Sequence, residues 1–121
     1  MGTQDDYRII MLRPEDGVIV VQASGMIDIV GSYAFREQLL ALLDEEPARM
    51  VVDLNSLTYV DTYALSALVD LARRCRLEGR GLALVCSGGR MRSALASTGL
   101  DQYVPTHATV DEALGRADAA S

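Results

Sequence analysis

Met50-Val51-Val52-Asp53-Leu54-Asn55-Ser56-Leu57-Thr58-Tyr59-Val60-Asp61-Thr62-Tyr63-Ala64-Leu65 is the stretch on which the reading of this chain turns. Met50 to Leu54 is short and almost wholly apolar, the pattern of a strand buried on both faces in a parallel sheet. Asn55 to Val60 reads as a loop. Asp61 then opens a helix predicted from about Thr62 to Leu77, with Leu65, Leu68, Val69, Ala72 and Cys75 as its apolar stripe. Asp70 and Arg74 stand four apart in the favourable order for a helical ion pair. Gly79 follows as a left-handed cap. The unit is strand, connection, helix.

Working outward, Tyr7 to Arg13 and Val18 to Ala23 are two strands around Pro14-Glu15-Asp16-Gly17, whose Asp-Gly marks a chain reversal. They predict an antiparallel hairpin. Gly25-Met26-Ile27-Asp28 leads into a helix from about Ser32 to Asp44, with Phe35, Leu39, Leu42 and Leu43 at helical spacing, and Pro47 closes it. Downstream, Leu82 to Cys86 is a further strand, and Arg90 to Thr98 a helix stopped by Gly99. Tyr103 to Thr106 reads as a short edge segment, because Pro105 cannot donate to a ladder. Thr109 and Glu112 form a capping box before a last helix to about Arg116. Alternating strands and helices after a hairpin predict an α/β fold: a mixed sheet of four or five strands covered by about four helices. Residues 7–116 make one domain in this reading, with flexible ends at 1–6 and 117–121.

Composition narrows the function. The chain has 121 residues, a net charge of −6, and eleven basic residues that are all arginine. An acidic chain is repelled by nucleic acid unless its arginines cluster. Without lysine there is no Schiff-base or P-loop lysine. His107 is the one histidine, so a metal or catalytic cluster built on several histidines is ruled out, and no cofactor is expected. Cys75 and Cys86 lack CxxC spacing and read as reduced core thiols. No apolar run is long enough for a transmembrane helix, and the polar, acidic Met1 to Asp6 is unlike a signal peptide. Met1-Gly2 is no myristoylation signal, since Asp6 stands where serine or threonine is needed. A cytoplasmic protein is expected.

In parallel sheets, functional residues gather at strand carboxyl ends and helix N-termini. Asp61 stands at such a point, able to accept from free backbone amides as a cap. The partial positive charge of that helix end would also favour a phosphate on a first-turn hydroxyl. Asp28 has the same setting, as a surface residue or a cap. Asp53 reads as a strand-end carboxylate. Arg90 and Arg92, beside Ser87-Gly88-Gly89, read more simply as a solvated helix start.

These segments together resemble the STAS domains of bacterial anti-sigma factor antagonists. That family's pattern is an apolar strand ending in Asp-Leu, a short connection, then Asp-Ser-Ser-Gly-Leu opening a helix. Here it reads Val51-Val52-Asp53-Leu54 and Asp61-Thr62-Tyr63-Ala64-Leu65. Gly25-Met26-Ile27-Asp28 is similar to the family's Gly-x-Leu-Asp, Thr98-Gly99-Leu100 to its Thr-Gly-Leu, and Val110 to Leu114 to its closing Glu-Ala-Leu. The resemblance spans roughly positions 7 to 115.

It implies a partner-switching regulator and no enzyme. Family members bind a histidine-kinase-like ATPase that acts as anti-sigma factor, and so release a sigma factor. Phosphorylation of the second serine breaks the complex. The resemblance places partner binding on Asp28, Asp61, Thr62, Tyr63 and Ala64. Tyr63 occupies the phosphoacceptor position, Ala64 replaces the glycine, and Thr62 keeps a hydroxyl that is the alternative acceptor. This points to lost or altered switching. A non-switching STAS adaptor, in a lipid-transport or stress-sensing assembly, is the alternative. A receiver domain using Asp53 is weaker, since that chemistry needs a lysine. The apolar hairpin edge offers a route to a homodimer.

Overall fold

The computed structural model describes residues 6–116; of the expected flexible ends at 1–6 and 117–121, all but Asp6 lie outside the described residues. The strands are β1 (Tyr7–Glu15), β2 (Val18–Ile27), β3 (Arg49–Val60), β4 (Gly81–Val85) and β5 (Thr106–His107). The helices are α1 (Ile29–Ala41), α2 (Thr62–Leu77), α3 (Gly89–Thr98), α4 (Leu100–Tyr103) and α5 (Val110–Ala113), with a 3-10 turn at Leu42–Glu45. The sheet order is β1-β2-β3-β4-β5. β1 and β2 form the predicted antiparallel hairpin, and every later pairing is parallel.

This order decides where the core sits. A strand order that advances in one direction, with right-handed crossovers, stacks the connecting helices on one face. Along the strands, alternate residues divide accordingly. Ile19, Val21, Met50, Val52 and Leu84 pack with Phe35, Leu39, Leu68, Leu71 and Leu95 of the helices. The intervening Val18, Val20, Val51, Ala83 and Val85 face Ala113 of α5. Both cysteines are buried and free. Burial pushes their thiols above the ordinary range, which keeps them protonated and unreactive.

Several local expectations are corrected. Asn55 to Val60 is not a loop: β3 continues through it, and Ser56 to Val60 pairs with Ser24 to Ile27 of a lengthened β2. Two register irregularities accommodate the extension. On its other side the end of β2 lies close against the start of β1, where Gly25 sits at φ +92° and a Cβ would stand 2.3 Å from the Asp6 carbonyl oxygen. Polar residues such as Asn55, Ser56 and Thr58 suggest a loop locally; the pairing partner across the sheet decides otherwise. Tyr103 belongs to α4 instead of an edge segment, because left-handed Gly99 (φ +78°) stops α3 and restarts the chain. The last helix ends at Ala113, before Arg116.

The buried stripe of α2 is Ala64, Ala67, Leu68, Leu71 and Cys75. Leu65, Val69 and Ala72 are only half-buried. The helix packs against α1 as well as the sheet, which rotates its buried face from the one a lone amphipathic pattern suggests. Asp70 pairs with Arg36 of α1 at 2.5 Å and approaches Arg73, not Arg74. Arg74 and Arg80 instead hold Glu78. In the capping box the Thr109 hydroxyl accepts from the Glu112 amide as expected, but the Glu112 carboxylate accepts from Ala108.

Glu78 yields a pH prediction. Hydrogen bonds from Arg80, then Arg74, hold its carboxyl below the usual range. A carboxyl depressed in the folded state stabilises above its unfolded pKa, and that contribution disappears as pH falls through the folded value. Between about pH 5 and pH 2, urea stability of Glu78→Gln should therefore fall less steeply than that of the parent. Parallel slopes would deny the linkage.

Candidate functional site

The site is built where β2 and β3 end side by side. Ile27 pairs with Val60, and the Asp61 amide donates to the Ile27 carbonyl at 2.9 Å. The next residue of each chain segment, Asp28 or Asp61, therefore caps a helix at the same edge of the sheet. Asp28 Oδ1 accepts from the Val30 and Gly31 amides, each at 3.1 Å. Asp61 Oδ1 accepts from the Ala64 amide at 2.9 Å. Both aspartates satisfy otherwise orphaned donors, and their charge opposes the positive helix ends.

α1 and α2 leave this edge together and pack on one another. Tyr33 and Tyr63 stack across the seam, with centroids 6.0 Å apart and planes 11° from parallel. The Arg36 guanidinium stands 5.9 Å from the Tyr63 ring centroid and is anchored by Asp70. That ion pair raises the Arg36 pKa further, so the cation is permanent. The arrangement is a ladder: Tyr33, Tyr63, Arg36, Asp70. Around it Ile29 (74% exposed), Val30 (82%), Tyr59 and Met26 present apolar surface to solvent. Clustered exposed apolar side chains of this kind mark an interaction site.

The residues named from sequence fare differently. Asp28, Asp61, Thr62 and Tyr63 come together at this edge. Ala64 does not reach the surface: its methyl is 1% exposed and belongs to the core. Asp53 accepts from the Asn55 amide within β3, and Arg92 donates to the Cys86 carbonyl; neither joins the ladder. Among the described residues no group of His, Cys, Asp and Glu is placed to hold a metal ion. No helix among them is long and apolar enough to cross a membrane.

Sequence reasoning missed Ile29, Val30, Tyr33, Arg36 and Tyr59. A signal existed for three of them. Ile29, Val30 and Tyr33 are large apolar or aromatic residues at helical spacing, yet off the Phe35–Leu39–Leu42 stripe. A second apolar face on a helix calls for a second partner.

Comparison with known proteins adds a family to this geometry. A family model described as STAS domain matches residues 10–113. The chain is 31% identical over 103 residues to a Mycobacterium tuberculosis protein named anti-anti-sigma factor Rv2638, covering 84% of this chain and 70% of that one. The crystal structure of an anti-sigma factor antagonist from Mycobacterium paratuberculosis superposes with a TM-score of 0.82 at 28% identity, covering 95% and 97% of the two chains. The Bacillus cell fate determinant SpoIIAA in its phosphorylated form shares the fold, with a TM-score of 0.72 at 15% identity over 90% and 98% of the chains.

Proposed function

This chain belongs to the STAS domain family, and we propose that it is an anti-sigma factor antagonist that docks through the apolar end of α1 and α2. The observation that carries the reading is the continuous surface of Ile29, Val30, Tyr33 and Tyr63 around the two capping aspartates. The relatives named as anti-sigma factor antagonists support it. The partner in this reading is an anti-sigma factor of the histidine-kinase-like ATPase type, met in the cytoplasm. Self-association through the free edge of β1, which exposes Ile10 and Leu12, belongs to the same proposal.

The finer proposal concerns switching. A serine oxygen sits one bond beyond Cβ, whereas the Tyr63 hydroxyl lies across a whole ring. That ring is stacked on Tyr33 and bordered by Arg36. An aromatic side chain so placed supplies contact area at low entropic cost, as interface anchors do. In this reading Tyr63 is a binding residue, and the complex forms without a phosphorylation cycle.

The test is capture of the tagged protein's partners from its native cells, then incubation with the captured kinase and ATP. The parent is expected to stay unphosphorylated and bound. The triple variant Thr62→Ser, Tyr63→Ser, Ala64→Gly is expected to gain one phosphoserine and to release the partner. Added charge of about −2 in an interface carries desolvation and repulsion costs. Phosphate on Tyr63 or Thr62 of the parent would sink the non-switching reading. Capture of membrane or scaffold components and no such kinase would replace the sigma-factor role by the adaptor role.

A further inference from the structure

At the opposite end of α2 lies a cavity of about 380 Å³ between that helix, β4 and α4. We infer that it binds a small single-headed amphipathic carboxylate, with its alkyl body in the cavity and its head group at Arg76. This goes beyond the functional reading and does not depend on it.

The apolar part of the cavity comes from three elements. Val69 and Ala72 of α2, Leu82 of β4 and Leu100 of α4 line it. Its rim carries Arg73, Arg76 and Arg80, and among the described residues no acidic one lines it. That composition is opposite in sign to a chain with seventeen acids against eleven arginines. Two of the three arginines are engaged. Arg80 donates to Glu78 at 2.8 Å and to the Pro47 carbonyl at 2.7 Å. Arg73 stands 3.4 Å from Asp70, a carboxylate that Arg36 already holds.

Arg76 is different. Among the described residues no carboxylate pairs with it. Its guanidinium lies 5.8 Å from the centroid of the Tyr103 ring, and Tyr103 is 71% exposed. A planar cation with five donors therefore stands at the mouth of an apolar hole, beside an aromatic flap.

These features choose the ligand class. A guanidinium matches a carboxylate with two parallel hydrogen bonds. A polyphosphate or a sugar would need further polar groups in the cavity; Val69, Ala72, Leu82 and Leu100 offer none, and the Thr98 hydroxyl that also lines it already donates to the Leu95 carbonyl and accepts from the Leu100 amide. A neutral hydrocarbon would desolvate Arg76 with no compensating partner. The volume lies at the small end of ligand cavities and suits a chain of about ten carbons.

The test is a titration of sodium decanoate, kept below its micelle threshold, into isotope-labelled protein. Amide chemical shifts report where it binds. Saturable shifts confined to 69–82 and 98–104 are expected. Decanol, with the same chain and no charge, should bind about 10-fold more weakly, and inorganic phosphate should give no saturable shift. Arg76→Ala should weaken decanoate about 10-fold and Arg76→Lys less. Arg76 is exposed, so both variants should fold as the parent does. As a second check, Ala72→Trp should fill the cavity and abolish binding while leaving the affinity of the captured partner unchanged. The proposal is overturned by shifts that never saturate, by shifts spread over other faces, or by decanol and Arg76→Ala matching the parent with decanoate.

Discussion

Phe35→Ala is expected to lower the unfolding free energy by about 3–5 kcal/mol, because a fully buried aromatic leaves both lost transfer energy and a cavity. Phe35 is 1% exposed, the only phenylalanine in the chain, and sits where α1 meets the sheet. Tyr7 of β1 meets it edge to face, with centroids 6.3 Å apart. The surroundings have little room to collapse. A Cβ on Gly31 would stand 2.8 Å from the Tyr7 ring, so that ring already rests against the α1 backbone. Against a typical total of about 5–15 kcal/mol, this single truncation removes a large part of the stability. Urea unfolding should show a lower midpoint at an unchanged slope. Phe35→Leu, which keeps most of the volume, should cost less than about 1.5 kcal/mol. A loss below about 1 kcal/mol for the alanine variant would mean that α1 does not seat on the sheet as described.

Tyr63→Asp is expected to weaken binding of the captured partner by at least about 100-fold. Two losses combine: an aromatic anchor disappears, and an unpaired charge is buried on association. Tyr63 is 38% exposed in the free protein and outside the core, so the thermal midpoint should move by only a few degrees. Tyr63→Phe separates ring from hydroxyl. It keeps the stack on Tyr33 and the contact with Arg36, and its affinity should stay within about 3-fold of the parent. Calorimetric titration of the three proteins gives the ranking. Equal affinities for the aspartate variant and the parent would place the docking surface elsewhere.

Phe35 is visible in the sequence, because Phe35, Leu39, Leu42 and Leu43 repeat at helical spacing and all four are buried. The Thr62–Leu77 helix is equally visible, since Asp61 supplies its cap and Gly79 its left-handed end. The Tyr33–Tyr63–Arg36–Asp70 ladder is not visible in this way. Its members lie on two helices, 37 positions apart at the extremes (70 − 33), and no local periodicity relates them. Only the side-by-side packing of α1 and α2 brings Tyr33 onto Tyr63 and gives Asp70 to Arg36 instead of Arg74.

Strand alternation, helix caps and the order of apolar segments are local properties, and they determined the α/β class, the hairpin, the helix starting at Thr62 and the likeness to the family. What depends on partners distant in the chain was settled only by the tertiary structure. Ser56 to Val60 became strand because the end of β2 offers it free hydrogen-bonding groups. Ala64 moved from the site to the core because α2 turns toward α1. Arg76 stands beside Tyr103 at its apolar cavity only because α4 folds beneath α2. Backbone propensity acts over a few residues, whereas burial and charge pairing are decided by whichever surfaces the topology presses together.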